Sequence, residues 1–170
     1  MSTAAARRGF TLIEILTVVA ILGVLAALIL PVLSRARAES RRISCTSNLS
    51  QLGKAMTLYV SEHQGTYPVL AARPTLSPGL ARLSDTLLPY AKDERVFRCP
   101  ADNQNFYAAE GTSYEWNVVL NGRVQDGAVE ALVGPSKTPL LYDFENFHPD
   151  PGGGGFGGKN VLCCDGSVSR

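Results

Sequence analysis

The chain has 170 residues, with 16 Lys+Arg against 15 Asp+Glu, and a mean hydropathy of +0.05. A near-neutral chain offers no basic footprint for a nucleic-acid partner, and its 45% apolar content excludes a collagen-like or wholly disordered protein. These averages hide a division. Residues 1–42 carry six Arg and two Glu, a net of +4, whereas residues 43–170 carry the other ten bases and thirteen acids, a net of −3.

From Phe10 to Leu33 the sequence FTLIEILTVVAILGVLAALILPVL runs 24 residues with one charge, Glu14. At about 1.5 Å per residue this exceeds the ~30 Å hydrocarbon core of a bilayer, so the segment is predicted to span a membrane as a helix. A cleaved secretory signal has a shorter apolar core, about 7–15 residues, followed by a small-residue cleavage site. Here Gly9 precedes the apolar run, behind Arg7 and Arg8. Cleavage at Gly9 would therefore remove a basic leader and leave the anchor. A carboxylate within this span is costly and calls for a partner or a task. Two readings of Glu14 follow. The α-amino group exposed at Phe10 would lie one helical turn away, in the same chain or a neighbour. Alternatively, Glu14 sits shallowly at a helix N-terminus, where the dipole favours an anion and the side chain reaches water. Pro31, with no amide hydrogen to donate, is expected to loosen or kink the helix.

The string Arg7-Arg8-Gly9-Phe10-Thr11-Leu12-Ile13-Glu14 resembles the class III signal of type IV prepilins and type II secretion pseudopilins. The resemblance implies a prepilin peptidase/methyltransferase that cuts after Gly9 and N-methylates Phe10. Glu14 then falls at the fifth mature position and Pro31 at the twenty-second, both characteristic of pilin-like proteins. By the same resemblance Glu14 neutralises the N-terminal amine of an adjacent subunit during filament assembly. The positive-inside count, two bases before the span and four soon after it, favours the opposite orientation. The resemblance instead places the leader in the cytoplasm, the helix in the inner (cytoplasmic) membrane and the body outside, in the periplasm.

Ser34 to Arg42 (SRARAESRR) continues the helix with four Arg placed to meet lipid phosphates. Leu49, Leu52, Met56, Tyr59 and His63 follow at steps of three and four, one apolar stripe of an amphipathic helix that Gly65 and Pro68 end. His63 reads as a surface or packing residue at that end. The run Ala71 to Gly79 reads as a turn region. Leu80 to Tyr90 reads as a short helix stopped by Pro89. Tyr114 to Leu120 is β-prone, and Asn121-Gly122 signals a hairpin returning through Arg123 and Val124. Further strands are predicted at Thr138–Phe144 and Asn160–Cys164, with Asp165-Gly166 turning the chain into Ser167–Ser169. Gly152 to Gly158 reads as a loop. The predicted fold is α+β and pilin-like: a long N-terminal helix, half transmembrane and half amphipathic, packed on a small antiparallel sheet. The predicted segments are a leader (1–9), an assembly helix (10–33), a helical stalk (34–63) and a C-terminal α+β domain (64–170).

The body resembles bacterial prepilin-like proteins related to the G-type pseudopilin, which carry a C-terminal His-spacer-Asp-Gly motif. The matching stretches are RRISCTSNLSQLGKAMTLYVSEHQGTYP, LLPYAKDERVFRCPAD, SYEWN and NVLCCDGSV. One departure is the spacer: His148 and Asp165 are separated by sixteen residues where the family has about nine, and a Gly-rich insertion lies between them. Four cysteines, Cys45, Cys99, Cys163 and Cys164, allow three complete pairings. Cys45 and Cys99 both fall within stretches that resemble the family. A bridge between them would close a loop across 54 positions, worth roughly 3–4 kcal/mol in the chain-entropy model. Cys163 and Cys164 are adjacent in a predicted strand and point to opposite faces. No Cys-x-x-Cys spacing or ordered His pair suggests zinc. The acids Asp143, Asp150 and Asp165, with Glu145, cluster in sequence near the Gly-rich loop, and G-type pseudopilins bind Ca²⁺ in a C-terminal loop. That makes Asp143, Asp150 and Asp165 candidate Ca²⁺ ligands, although their spacing matches no EF-hand and solvated loop acids share the pattern. No catalytic motif is present, so no enzymatic activity is expected. The leading expectation is a pseudopilin or minor pilin that assembles with other pilin-like subunits in a type II secretion or type IV pilus system. The alternative is a singly anchored surface protein whose body binds a ligand.

Overall fold

The computed structural model describes residues 12–148 and 157–169. Gly9, Phe10 and Asp150 lie outside the described residues. The chain divides into two compact units, with the boundary between Arg37 and Ala38. Helix α1 (Leu12–Glu62) begins in the first unit. There its Leu, Ile, Val and Ala side chains are exposed without interruption as far as Arg37. The helix runs on through Pro31, whose ring lacks the amide that would bond the Ala27 carbonyl. Ser34 Oγ donates to the Pro31 carbonyl at 3.0 Å.

In the second unit α1 acquires an inside. Cys45, Leu49, Leu52, Gly53, Ala55, Met56 and Val60 are buried, a stripe at helical spacing. The stripe departs from the sequence expectation at its end. Val60 takes the inward position, Tyr59 is half-buried and His63 is exposed beyond the last turn. Tyr59 stacks its ring on His63 at 3.9 Å instead, so the two aromatic rings cover one another at the helix end.

Helix α2 (Leu83–Ala91) buries Leu83 and Leu87. Pro89 lies inside it and does not stop it. The helix ends at Lys92, whose left-handed backbone (φ 60°) lets its amide reach the Leu88 carbonyl. A 3₁₀ turn at Glu94–Phe97 leads to Cys99. Helix α3 (Phe106–Glu110) follows, with its first amides held by Asp102, which accepts from Phe106 N at 3.2 Å and Tyr107 N at 2.9 Å.

Four short strands, β1 (Tyr114–Trp116), β2 (Pro139–Asp143), β3 (Val161–Cys163) and β4 (Val168–Ser169), form one antiparallel sheet in that order. The fold is thus a long N-terminal helix followed by a small antiparallel sheet, an α+β architecture. The strands after residue 137 fall where the periodicity places them. The hairpin expected at Asn121-Gly122 does not form. Strand β1 ends at Trp116, gives way to a 3₁₀ turn at Val118–Leu120, and pairs with β2 (Trp116 opposite Leu141) across the intervening helix α4 (Ala128–Val133). The physical reason is the Asn121 side chain. Its Oδ1 accepts from Leu70 N at 3.0 Å and Trp116 Nε1 at 2.6 Å, and its Nδ2 donates to the Leu70 carbonyl at 3.0 Å. Asn121 and Gly122 still form a turn, Arg123 N donating to the Leu120 carbonyl at 3.0 Å with Gly122 at φ +64°, but the Asn121 side chain ties a distant loop to the core and the chain beyond bridges Thr66 at Val124 instead of returning along β1. The Asp165-Gly166 turn does form: Gly166 (φ +83°) donates to the Cys163 carbonyl at 2.9 Å, and Ser167 N returns to Asp165 Oδ1 at 2.9 Å.

Replacing Asn121 by Ala leaves the Leu70 amide and carbonyl and the buried Trp116 indole without their partners. Asn121→Ala is expected to lower stability by about 2–4 kcal/mol, read as a lower midpoint in urea unfolding of the body, with the far-UV spectrum of the folded state retained.

Candidate functional site

Two features of the chain carry chemistry that the fold alone does not require. The first is the apolar half of α1. From Leu12 to Leu33 every residue is exposed, and Glu14 is its one charged side chain. An apolar surface of this extent belongs against lipid or against other apolar helices. Its length and composition suffice to cross a membrane. Within it the Glu14 carbonyl accepts from Thr17 Oγ1 at 3.0 Å. Just beyond it Arg42 bonds Glu39 along the helix, with Arg35, Arg37 and Arg41 on the same basic stretch.

The second feature is a buried cluster beneath the sheet end. Cys45 of α1 and Cys99 after the 3₁₀ turn are joined as a disulfide with a Cα–Cα distance of 5.0 Å. Nearby, Asn48 Nδ2 donates to the Arg98 carbonyl at 2.9 Å, a second tie between helix and loop. His148 lies against this bridge, its Nε2 3.7 Å from Cys99 Sγ and 3.4 Å from Asp143 Oδ2. Asp143 closes β2 and is wholly buried. Asn160 fixes its Oδ2, donating from the backbone at 2.7 Å and from Nδ2 at 3.1 Å. The stretched His-to-Asp-Gly spacing assigns His148 no partner, and the structure seats it beside Asp143, five residues earlier at the end of β2.

The acids considered for Ca²⁺ do not converge among the described residues. Asp143 is buried at one end of β2, where its amide bonds the Asn160 carbonyl at 3.1 Å. Asp165 is exposed in the turn at the opposite end of the β2–β3 ladder, its amide near Pro135 and its carboxylate taken by Ser167 at 2.6 Å. Those bonds from Ser167 hold the Asp165 carboxyl below its usual range. Asp150 lies outside the described residues.

Residues 5–30 match the family model of the prokaryotic N-terminal methylation motif. The chain is 35% identical over 145 residues to the type II secretion system core protein G of Pectobacterium carotovorum subsp. carotovorum, a match covering 81% of each protein. It is 33% identical over 103 residues to the protein of the same name from Escherichia coli (strain K12), covering 56% of this chain and 66% of that relative. Over 55 residues it is 44% identical to the type IV major pilin of Myxococcus xanthus (strain DK1622), covering 32% of this chain and 25% of the pilin. No solved structure gives a significant match.

The two remaining cysteines are free, Cys163 buried and Cys164 half-buried. They line a cavity of about 350 Å³ between Gly53, Met56 and Val60 of α1 and Tyr67. Burial pushes the Cys164 thiol up to about 11, against a lowering from the Tyr67 hydroxyl. Burial raises the Tyr67 phenol as well. The Cys164 thiol thus stays protonated at neutral pH and ionises only as pH approaches about 11. Its alkylation by iodoacetamide in the folded chain at pH 8 is expected to be at least about tenfold slower than in urea, and to accelerate with rising pH, as read by mass spectrometry.

Proposed function

The chain belongs to the pilin-like family of type II secretion system core protein G, and on that premise we propose that it is a membrane-anchored precursor of a filament subunit. A prepilin peptidase/methyltransferase cuts it after Gly9 and methylates the new amine at Phe10. The apolar half of α1 then anchors it in the cytoplasmic membrane, with the leader on the cytoplasmic side and the body in the periplasm. From there it joins other pilin-like subunits in the filament of a type II secretion or type IV pilus apparatus. The role is structural and not catalytic, a reading supported by relatives named as secretion and pilus components.

The observation that carries the proposal is the form of α1. One unbroken helix holds a wholly exposed apolar half with a lone carboxylate near its start, and the match to the methylation motif falls on that same half. Lipid tails are as apolar as Leu, so a helix leaving the bilayer for a bundle of like helices gains little hydrophobic free energy. Packing and polar pairing must then favour assembly. Glu14 is placed for such pairing, because a methylated N-terminal amine on a neighbouring subunit neutralises a carboxylate that would otherwise be costly in an apolar surrounding. The pair also sets the axial register, since sliding one helix along the other separates the charges.

In a host that carries the processing enzyme, Gly9→Ala is expected to leave the chain at its full precursor mass. A mature-sized product from that variant, in intact-mass measurement, would contradict the assignment. Glu14→Leu is expected to leave membrane insertion unchanged. With single cysteines engineered into the apolar half of α1, oxidative crosslinking should yield ladders of oligomers from the parent chain, reduced about tenfold or more by Glu14→Leu. Undiminished ladders would refute the role given to Glu14. Absence of ladders in the parent would favour a singly anchored binding protein.

A further inference from the structure

The Cys45–Cys99 bridge is more elaborately furnished than a staple needs. A structural disulfide is content with apolar neighbours, yet this one has an imidazole packed beside it and a buried carboxylate against that imidazole. Cys45 is 0% exposed, Cys99 1%, His148 6% and Asp143 0%. Buried polar groups cost free energy unless they are partnered. Here His148 Nδ1 and Asp143 Oδ1 have no hydrogen-bond partner among the described residues. The two sulfurs and a ring nitrogen of His148 all lie within 4.8 Å of one another. Asp143 Oδ2 stands 3.4 Å from the Nε2 that faces Cys99.

From this convergence we infer that Cys45, Cys99 and His148, with Asp143 beside them, form a second, metal-holding state of the same site when the bridge is reduced, and that the ion is Zn²⁺ or a cation of like chemistry. Two thiolates, an imidazole and a carboxylate make a tetrahedral donor set of the kind zinc takes. With Zn–S bonds of about 2.3 Å, the sulfurs stand roughly 3.8 Å apart, a separation reached by side-chain rotation with the backbone in place. Three thiolate and carboxylate charges against the dication leave the buried site at −1, far less costly than the bare anions. A dithiol reductant gives two electrons and two protons to the S–S bond, which breaks into two thiols while the dithiol becomes a disulfide. Zn²⁺ then displaces the two thiol protons as it binds. Either state ties the Cys99 loop to α1, so the body stays stapled through a reduced interval, held by the metal in place of the covalent bond.

The ligands of this set come from α1, a loop and the segment after β2, without the short spacings that mark zinc motifs. The full-length chain in detergent, reduced with a phosphine that is then removed, is titrated with Co²⁺. One Co²⁺ per chain is expected, with thiolate-to-cobalt absorption in the near ultraviolet, tetrahedral visible bands and displacement by Zn²⁺. The oxidised chain, which keeps Cys163 and Cys164 as free thiols, is expected to give no such bands. His148→Ala should weaken Co²⁺ binding by at least about tenfold in the reduced chain. If reduction alone unfolds the body, Co²⁺ present during reduction should preserve its far-UV spectrum. Failure of the folded reduced chain to bind Co²⁺, equal binding by the oxidised chain, or unfolding despite Co²⁺ would each overturn the inference.

Discussion

The approach of β3 to α1 at Gly53 sets the terms on which the body exists. A Cβ built on Gly53 would stand 3.1 Å from Leu162 Cδ2, so the missing side chain leaves room for the Leu162 side chain of β3 to rest on the helix backbone. That contact matters because the sheet is too small to stand by itself. Its strands hold three, five, three and two residues, and sheets of such short strands need a packed apolar face to persist. The stripe from Cys45 to Val60 supplies that face, and the largest buried side chains, Trp116, Tyr114 and Phe97 among them, belong to or lie near the same core. The region around α2 is tied to α1 at separated points: the Cys45–Cys99 bridge, Asn48 on the Arg98 carbonyl, and Tyr90 Oη donating to Glu62 Oε2 at 2.7 Å. The second half of α1 is therefore the floor of the body and not an appendage to it.

With so little regular sheet, many backbone groups of the body find their partners in side chains. Asn117 Nδ2 donates to the Pro139 carbonyl at 2.7 Å, and Asn121 bonds both polar groups of Leu70. Asp102 gathers the amides of α3 together with Ser113 Oγ at 2.8 Å. Glu110, also buried, takes Thr75 N at 2.9 Å and Thr75 Oγ1 at 2.5 Å. Each of these carboxylates and amides is taken up by amides, carbonyls or hydroxyls packed against it. Asp143 and His148 are the contrast. Asn160 binds one Asp143 oxygen, yet the other oxygen and His148 Nδ1 have no hydrogen-bond partner among the described residues, while His148 Nε2 faces Cys99 Sγ.

How much of this was legible in the sequence depends on the range of the interaction. Features governed by local patterns are readable. The apolar run to Leu33 needs only composition, and the strands at Pro139–Asp143 and Val161–Cys163 announce themselves by apolar β-prone runs bounded by turn residues. Features decided by particular side-chain contacts are not. Asn121-Gly122 has the chemistry of a hairpin, but three hydrogen bonds to Leu70 and Trp116 outweigh the local preference. Tyr59 and His63 fit the apolar spacing, but their mutual stacking at a helix end leaves Val60 to face the core. Helices α3 and α4, five and six residues long, are too short for periodicity to reveal, and α3 owes its start to the capping acid Asp102. The cluster at Cys99 joins residues 45, 99, 143 and 148, which no spacing rule relates.

A helix that serves one environment along its first half and another along its second faces a constraint at the junction. Its exposed apolar surface ends at Leu33, and the buried stripe begins at Cys45. Between them lies a stretch that neither lipid nor the core wants, and the sequence fills it with Arg35, Arg37, Glu39, Arg41 and Arg42. These residues are strong helix formers with long apolar stems, so they carry the helix through water without a breaker while their charged ends remain solvated. Arg42 and Glu39 bond one another along the helix and add a small local gain. The net charge of +3 in residues 34–42 is thus the physical signature of a boundary between two solvents. In the proposed filament the consequence is a division of labour along α1: the apolar half, equally at home in lipid and among like helices, cannot decide when to leave the membrane. That decision falls to the polar contacts at its start and to the surfaces of the body at its end.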